Sequence, residues 1–123
     1  MGNAVVGSSF GTFQLHGFDD VTVFQLTVKE PGFYTVFARA VIANDDGDAQ
    51  NATVRLTHDN GAFLIDQADF RLPGGASYPV AIQGTLRVDP HVPKALQLRC
   101  TTFRGSATHF SVFAIQVDQL LFD

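Results

Sequence analysis

Apolar and polar residues alternate with a period of two through most of the chain, and no stretch shows the i, i+3, i+4, i+7 recurrence of an amphipathic helix. Runs rich in Val, Phe, Thr and Ile lie at Ser9–His16, Asp20–Val28, Phe33–Asn44, Asn51–Asp59, Ala62–Arg71, Tyr78–Asp89, Ala95–Phe103 and Thr108–Leu120. They predict about eight strands. Turn chemistry separates them at Glu30-Pro31-Gly32, Asn44 to Asp48, Asn60-Gly61, Leu72 to Gly75, Pro90 to Pro93 and Arg104-Gly105. Asn60-Gly61 supplies the two positive-φ residues of a type I′ turn, so the runs on either side of it should form a hairpin. The other connections are long enough to cross between sheets. Short strands at about 8–12-residue spacing favour an antiparallel sandwich, jelly roll or barrel, here as a single domain over residues 1–123.

A two-layer β protein needs one apolar face per strand. Asn51–Asp59 obeys, with Val54 and Leu56 opposed to Thr53, Arg55 and Thr57, and Ala95–Phe103 obeys with Leu96, Leu98 and Cys100 on one side. Two strands break the rule. Phe33–Ala43 sets Tyr34, Val36, Ala38, Ala40 and Ile42 against Phe33, Thr35, Phe37, Arg39 and Val41; Thr108–Leu120 sets Phe113, Ile115 and Val117 against Phe110, Val112 and Ala114. Two layers cannot bury both sets, and apolar patches of this kind on soluble proteins commonly mark interfaces between symmetric copies. Self-association is the expectation, with cover by the chain's own loops as the competing explanation.

Composition narrows the partners. The 123 residues carry a net charge of −4, and the arginines are scattered rather than gathered into a basic stripe, which argues against nucleic acid. No apolar run approaches the roughly 18–20 residues of a membrane span, and the N-terminus lacks the pattern of a signal peptide, so no membrane partner is expected. A single cysteine leaves no internal disulfide, so packing must hold the fold.

The segment Leu26-Thr-Val-Lys-Glu-Pro31-Gly32-Phe33-Tyr34-Thr-Val36 resembles the Pro-x-Gly-x-Tyr-x-hydrophobic entry into the third main strand of tumour necrosis factor and complement globular-head domains. Val80 to Val88 followed by Ala95 to Leu98 looks like two late strands of that jelly roll, and Phe110 to Ile115 like its last strand. The resemblance implies a compact trimer built through one sheet, with subunit contacts from Phe33, Thr35 and Phe37, from Ala81, Gln83 and Thr85, and from Phe110, Val112 and Ala114. The ending Ala114-Ile115-Gln-Val117-Asp-Gln-Leu120 also resembles short phage-type and bacterial jelly rolls.

Candidate chemistry is sparse. His16, His58, His91 and His109 could act as general bases, but none sits in a nucleophile motif, and Cys100 falls on a core face where a thiol is inert. Asp45, Asp46 and Asp48 could gather calcium, yet they lack the EF-hand order and its closing Glu, and a solvated acidic turn is the plainer reading. His16 with Asp19 and Asp20 is a second, weaker ligand set. No metal or cofactor is expected. The twelve phenylalanines alternate into strands, and only Phe18 and Phe103, beside loops, suit a binding platform. The sequence therefore points to a non-enzymatic structural or binding head, a homotrimeric jelly roll of the virion surface made in the host cytoplasm. It would be a phage capsid decoration or fibre tip, with a capsid or fibre protein as partner. The alternative is a secreted carbohydrate- or receptor-binding module, and an enzyme comes third.

Overall fold

The computed structural model describes residues 4–9 and 11–117, with the side chains of residues 8 and 9 left aside. Within them the chain forms nine strands and no helix: β1 (Ala4–Ser9), β2 (Phe13–His16), β3 (Val21–Val28), β4 (Gly32–Asn44), β5 (Gln50–His58), β6 (Phe63–Leu72), β7 (Ser77–Val88), β8 (Lys94–Thr102) and β9 (Arg104–Val117). They make two antiparallel sheets. One runs β1-β9-β4-β7 with β2 also on β9, and the other runs β3-β8-β5-β6. After β2 the chain crosses between layers at almost every connection, which is the jelly-roll sandwich expected from the sequence.

The expected first strand is two. β1 and β2 both pair with β9, β1 through Ser9↔Phe110 and β2 through Phe13↔Ala107. Thr108 and His109 of β9 pair with neither β1 nor β2, and His109 takes a positive φ of 50°. The ladder to β4 also shifts there, between Arg39 and Val41. A bulge in the long central strand divides its edge neighbour. The expected continuation of β9 to Leu120 lies outside the described residues.

At Asn60-Gly61 the hairpin forms as expected. Both residues have positive φ (56° and 87°), and the Ala62 N–H donates to the Asp59 carbonyl at 3.1 Å. Pro79 falls in β7, the outermost strand of its sheet, where a missing N–H breaks no ladder.

Tyr34, Val36, Ala38, Ala40 and Ile42 of β4 meet Val54, Leu56, Leu96, Leu98 and Cys100 of the facing sheet, all buried. Phe110 is a central piece, its ring 5.7 Å from Phe13 and 5.9 Å from Phe24. Tyr34 is buried too, and its hydroxyl donates to the Glu30 carbonyl at 2.7 Å, which satisfies the polar end.

Burial pushes the Cys100 thiol from 9.0 up to about 12, with the Asp20 carboxylate adding to the effect. The unfolded chain loses this proton above its ordinary value while the folded chain keeps it. The group's contribution to stability is therefore intact below about pH 9 and is lost as the pH rises toward 12. A thiol reagent at about pH 8 should label Cys100 only after denaturation. Labelling of native protein at the rate of an exposed thiol would contradict this placement.

Candidate functional site

The outer face of the five-stranded sheet is where the second apolar set emerges. Strand pairing fixes which residues share it, because directly opposed residues project to the same side. Phe37 lies opposite Gln83 on one flank and Phe113 on the other; Thr35 lies opposite Thr85 and Ile115. Val6 continues the row beyond Phe113. The result is an apolar band across four strands, with Val6 59% exposed, Ile115 42% and Phe113 36%, and with Phe33, Phe37 and Val41 half-buried between their neighbours. Arg87 rests over the Phe33 ring at 5.9 Å and pairs with Asp89 at 2.9 Å, which closes one end of the band.

Six of the nine expected contact residues lie on this face: Phe33, Thr35 and Phe37 of β4, and Ala81, Gln83 and Thr85 of β7. The other three do not. Phe110, Val112 and Ala114 are 1%, 0% and 0% exposed and project into the core. The register settles the matter, since Ala38 lies opposite Val112 and Phe37 opposite Phe113. β9 therefore presents Ser111, Phe113 and Ile115 outward. These were missed in the sequence because both faces of β9 are apolar, and Val6 because the first expected strand began at Ser9, beyond most of β1.

A shallow groove of about 330 Å³ opens in the band, with Phe37, Ala81 and Phe113 among its walls. Arg39 also lines it, and so does Asp66, which reaches round from β6 at the seam where the two sheets' outermost strands meet. Asp66 Oδ2 accepts the N–H of Gln83 on β7 at 3.0 Å. That bond occupies a donor an edge strand would otherwise leave open.

The opposite sheet carries polar groups instead. Arg55 and Arg99 are directly opposed across β5 and β8, and Asp20 Oδ2 accepts from both, at 3.0 Å from Arg99 Nη1. Like charges opposite one another repel, and one shared carboxylate offsets this. Nearby, Asp59 sits below the usual carboxylate range. Its partial desolvation acts upward, but hydrogen bonds and charge from His58 and Lys94 together outweigh it.

The acidic turn is organised mainly by its neighbour, with Asp46 Oδ1 accepting the Gly47 N–H at 2.7 Å. Buried Asn44 donates to the carbonyls of Asp48, Leu72 and Pro73, and its Oδ1 accepts the Asp46 N–H at 2.9 Å. Gln50 joins it, donating to Asn44 Oδ1 and to the Arg104 carbonyl, while Gln50 Oε1 accepts the Arg104 N–H at 2.7 Å. Asp45, Asp46 and Asp48 stay on the rim, and among the described residues no three His, Cys, Asp or Glu gather as a metal would require.

The histidines are on separate elements: His16 3.8 Å from Asp19, His58 stacked on Phe63 at 5.0 Å, His91 in the β7–β8 turn and His109 at the bulge. Phe18 and Phe103 form a half-exposed pair, ring centroids 5.6 Å apart, at one end of the sandwich.

No protein-family model and no curated protein matches the sequence. Among solved structures the fold is similar to Eiger TNF from S. frugiperda, with a TM-score of 0.65 and 10% identity over 98% of this chain and 96% of that one. It is similar as well to a chain of the infectious bursal disease virus Gx strain (TM-score 0.63, 13% identity, 94% of this chain and 32% of that one). The VP2 subviral particle of that virus gives a TM-score of 0.57 at 12% identity, over 94% of this chain and 33% of that one. The chain thus spans about a third of the length of these viral chains. At such identities the likeness is one of fold.

Proposed function

We propose that the chain is a non-enzymatic structural or binding head that works as a homotrimer assembled through the outer face of the β1-β9-β4-β7 sheet. The observation that carries the reading is the apolar band in which Val6, Phe113 and Ile115 are exposed and Phe37 is half-buried between them. Burying such a band against copies of itself is the common solution for a soluble protein.

Its place of work on this reading is the virion surface, as a capsid decoration or fibre tip assembled in the host cytoplasm, and the fold likeness to viral particle chains supports that choice. A secreted carbohydrate- or receptor-binding head is the second reading. It is favoured by the exposed Phe18–Phe103 pair and by the end-to-end likeness to a TNF.

Sedimentation at micromolar concentration tests the assembly. The wild type should run as a trimer, while Phe37→Asp and Phe113→Asp, at positions already partly open to water, should fold and associate at least about tenfold more weakly. A wild type that sediments as a monomer would reject the proposal. Co-purification with capsids, against retention on glycan or cell surfaces, separates the two settings.

A further inference from the structure

On the four-stranded sheet Ala52 and Val54 of β5 are buried, so Asn51 and Thr53 project to the outer face. Thr53 lies opposite Asp69 of β6 and Thr101 of β8, and Asn51 lies opposite Arg71, which places all five on that side. Asn51, Thr53 and Asp69 wall a shallow hollow of about 470 Å³, a volume within the range of small-ligand sites.

The aromatic pair borders this hollow. Thr102 lies opposite Ala52 and its hydroxyl donates to the Asn51 carbonyl at 2.9 Å, so Phe103, the next residue, leaves β8 at the level of Asn51. The Phe103 ring meets that of Phe18, whose φ of 59° is rare for a bulky residue. The N–H groups of Gly17 and Phe18 hold this conformation by donating to the carbonyls of Phe103 and Thr102, at 2.7 and 3.2 Å. Strain that holds a ring at the surface adds nothing to the core, and such strain clusters at ligand-binding positions.

The polar lining is oriented but keeps free capacity. Arg71 Nη1 donates to Asn51 Oδ1 at 3.1 Å, which fixes the amide and leaves its NH2 without an acceptor among the described residues. The Thr53 hydroxyl donates to Asp69 Oδ1 at 2.7 Å and retains its lone pairs. Gln67 donates to both Asp69 oxygens, at 3.1 and 3.0 Å; with the bond from Thr53 this holds the carboxyl below its ordinary range, so it stays an acceptor. Fixed donors and fixed acceptors thus stand side by side, which suits adjacent hydroxyls that each donate and accept. Asp69 and Arg71 cancel in charge, so the hollow favours no ion.

We propose that this corner binds a neutral saccharide, one pyranose laying its C–H face on the Phe18–Phe103 pair while its hydroxyls bond Asn51, Thr53 and Asp69. This rests on the carbohydrate-binding reading and supplies its site. The site lies on the sheet opposite the apolar band and does not depend on assembly.

Binding of the full chain to a glycan array tests it, with neutral oligosaccharides ending in galactose, glucose, mannose or N-acetylglucosamine set against sialylated and sulfated ones. The wild type should bind neutral glycans in preference to the charged ones. Phe103→Ala and the near-isosteric Thr53→Val should each weaken that binding at least about tenfold. Phe18→Gly removes the ring and suits the positive φ, so it should fold at least as stably as the wild type and still lose binding. All three should sediment as the wild type does. A wild type that binds no glycan on the array would overturn both the site and the carbohydrate-binding reading. Binding weakened by the phenylalanine variants but not by Thr53→Val would overturn the hollow and leave that reading standing. Preference for sialylated or sulfated glycans would overturn the neutral class.

Discussion

Val112→Asp is expected to yield no folded protein, whereas Phe113→Asp, one residue along the same strand, is expected to fold with near-native stability and lose only association. Val112 is 0% exposed, inside the inter-sheet core beside Phe110 and Ala114. Its neighbours in the described core are apolar side chains, which offer a carboxylate no cation. The effective penalty for an unpaired buried ion is several kcal/mol, against a total stability of about 5–15 kcal/mol for a domain. Phe113 is 36% exposed on the outer face, where an aspartate keeps its water in the separated protomer. A gentler probe of the same assignment is Phe110→Ala, which should cost about 3–5 kcal/mol in urea unfolding through the cavity left between Phe13 and Phe24. Circular dichroism and urea titration read all three. Equal stability of the two aspartate variants would mean that the side of β9 facing the core has been misassigned.

That contrast also marks where the sequence stops being informative. Strand positions follow from alternation and turn chemistry, and β4 reads correctly on both faces because its inner row ends in the larger residues Tyr34 and Ile42 while Arg39 labels the outer one. β9 has no such label. Its inner row passes from Ala107 to Phe110 across the His109 bulge, so the alternation changes phase midway and a continuous period of two misleads. Only the ladder to β4 settles the face, and pairing between positions 37 and 113 is a long-range fact. The same holds for the groove. Asp66 stands on a strand with little local pattern, and nothing in its neighbourhood of the sequence indicates that it reaches the edge of β7. Charge is legible residue by residue, but whether it is matched depends on elements distant in the chain.

The acidic turn gives the second large expected effect. Asn44 reads in sequence as one more solvated turn residue ahead of Asp45, Asp46 and Asp48, yet it is 2% exposed. Its amide ties the β4–β5 turn to the end of β6 and the β6–β7 turn, and Gln50 extends the tie to the start of β9 through Arg104. The turns come close enough for Gly74 to meet the carbonyl of Gly47 with no room for a side chain between them. Asn44→Ala strands several carbonyls and the Asp46 N–H in this enclosed corner, so a loss of about 3 kcal/mol in urea unfolding is expected. Gln50→Ala leaves both backbone groups of Arg104 without that partner and should cost about 2 kcal/mol. The two residues share a hydrogen bond, so the double variant should lose clearly less than the sum of the single losses. Calcium should leave the wild-type unfolding midpoint unchanged, because among the described residues no three acidic or histidine side chains gather in this turn. Strictly additive losses, or a loss below about 1 kcal/mol for Asn44→Ala, would show that these turns are held by something other than the two amides.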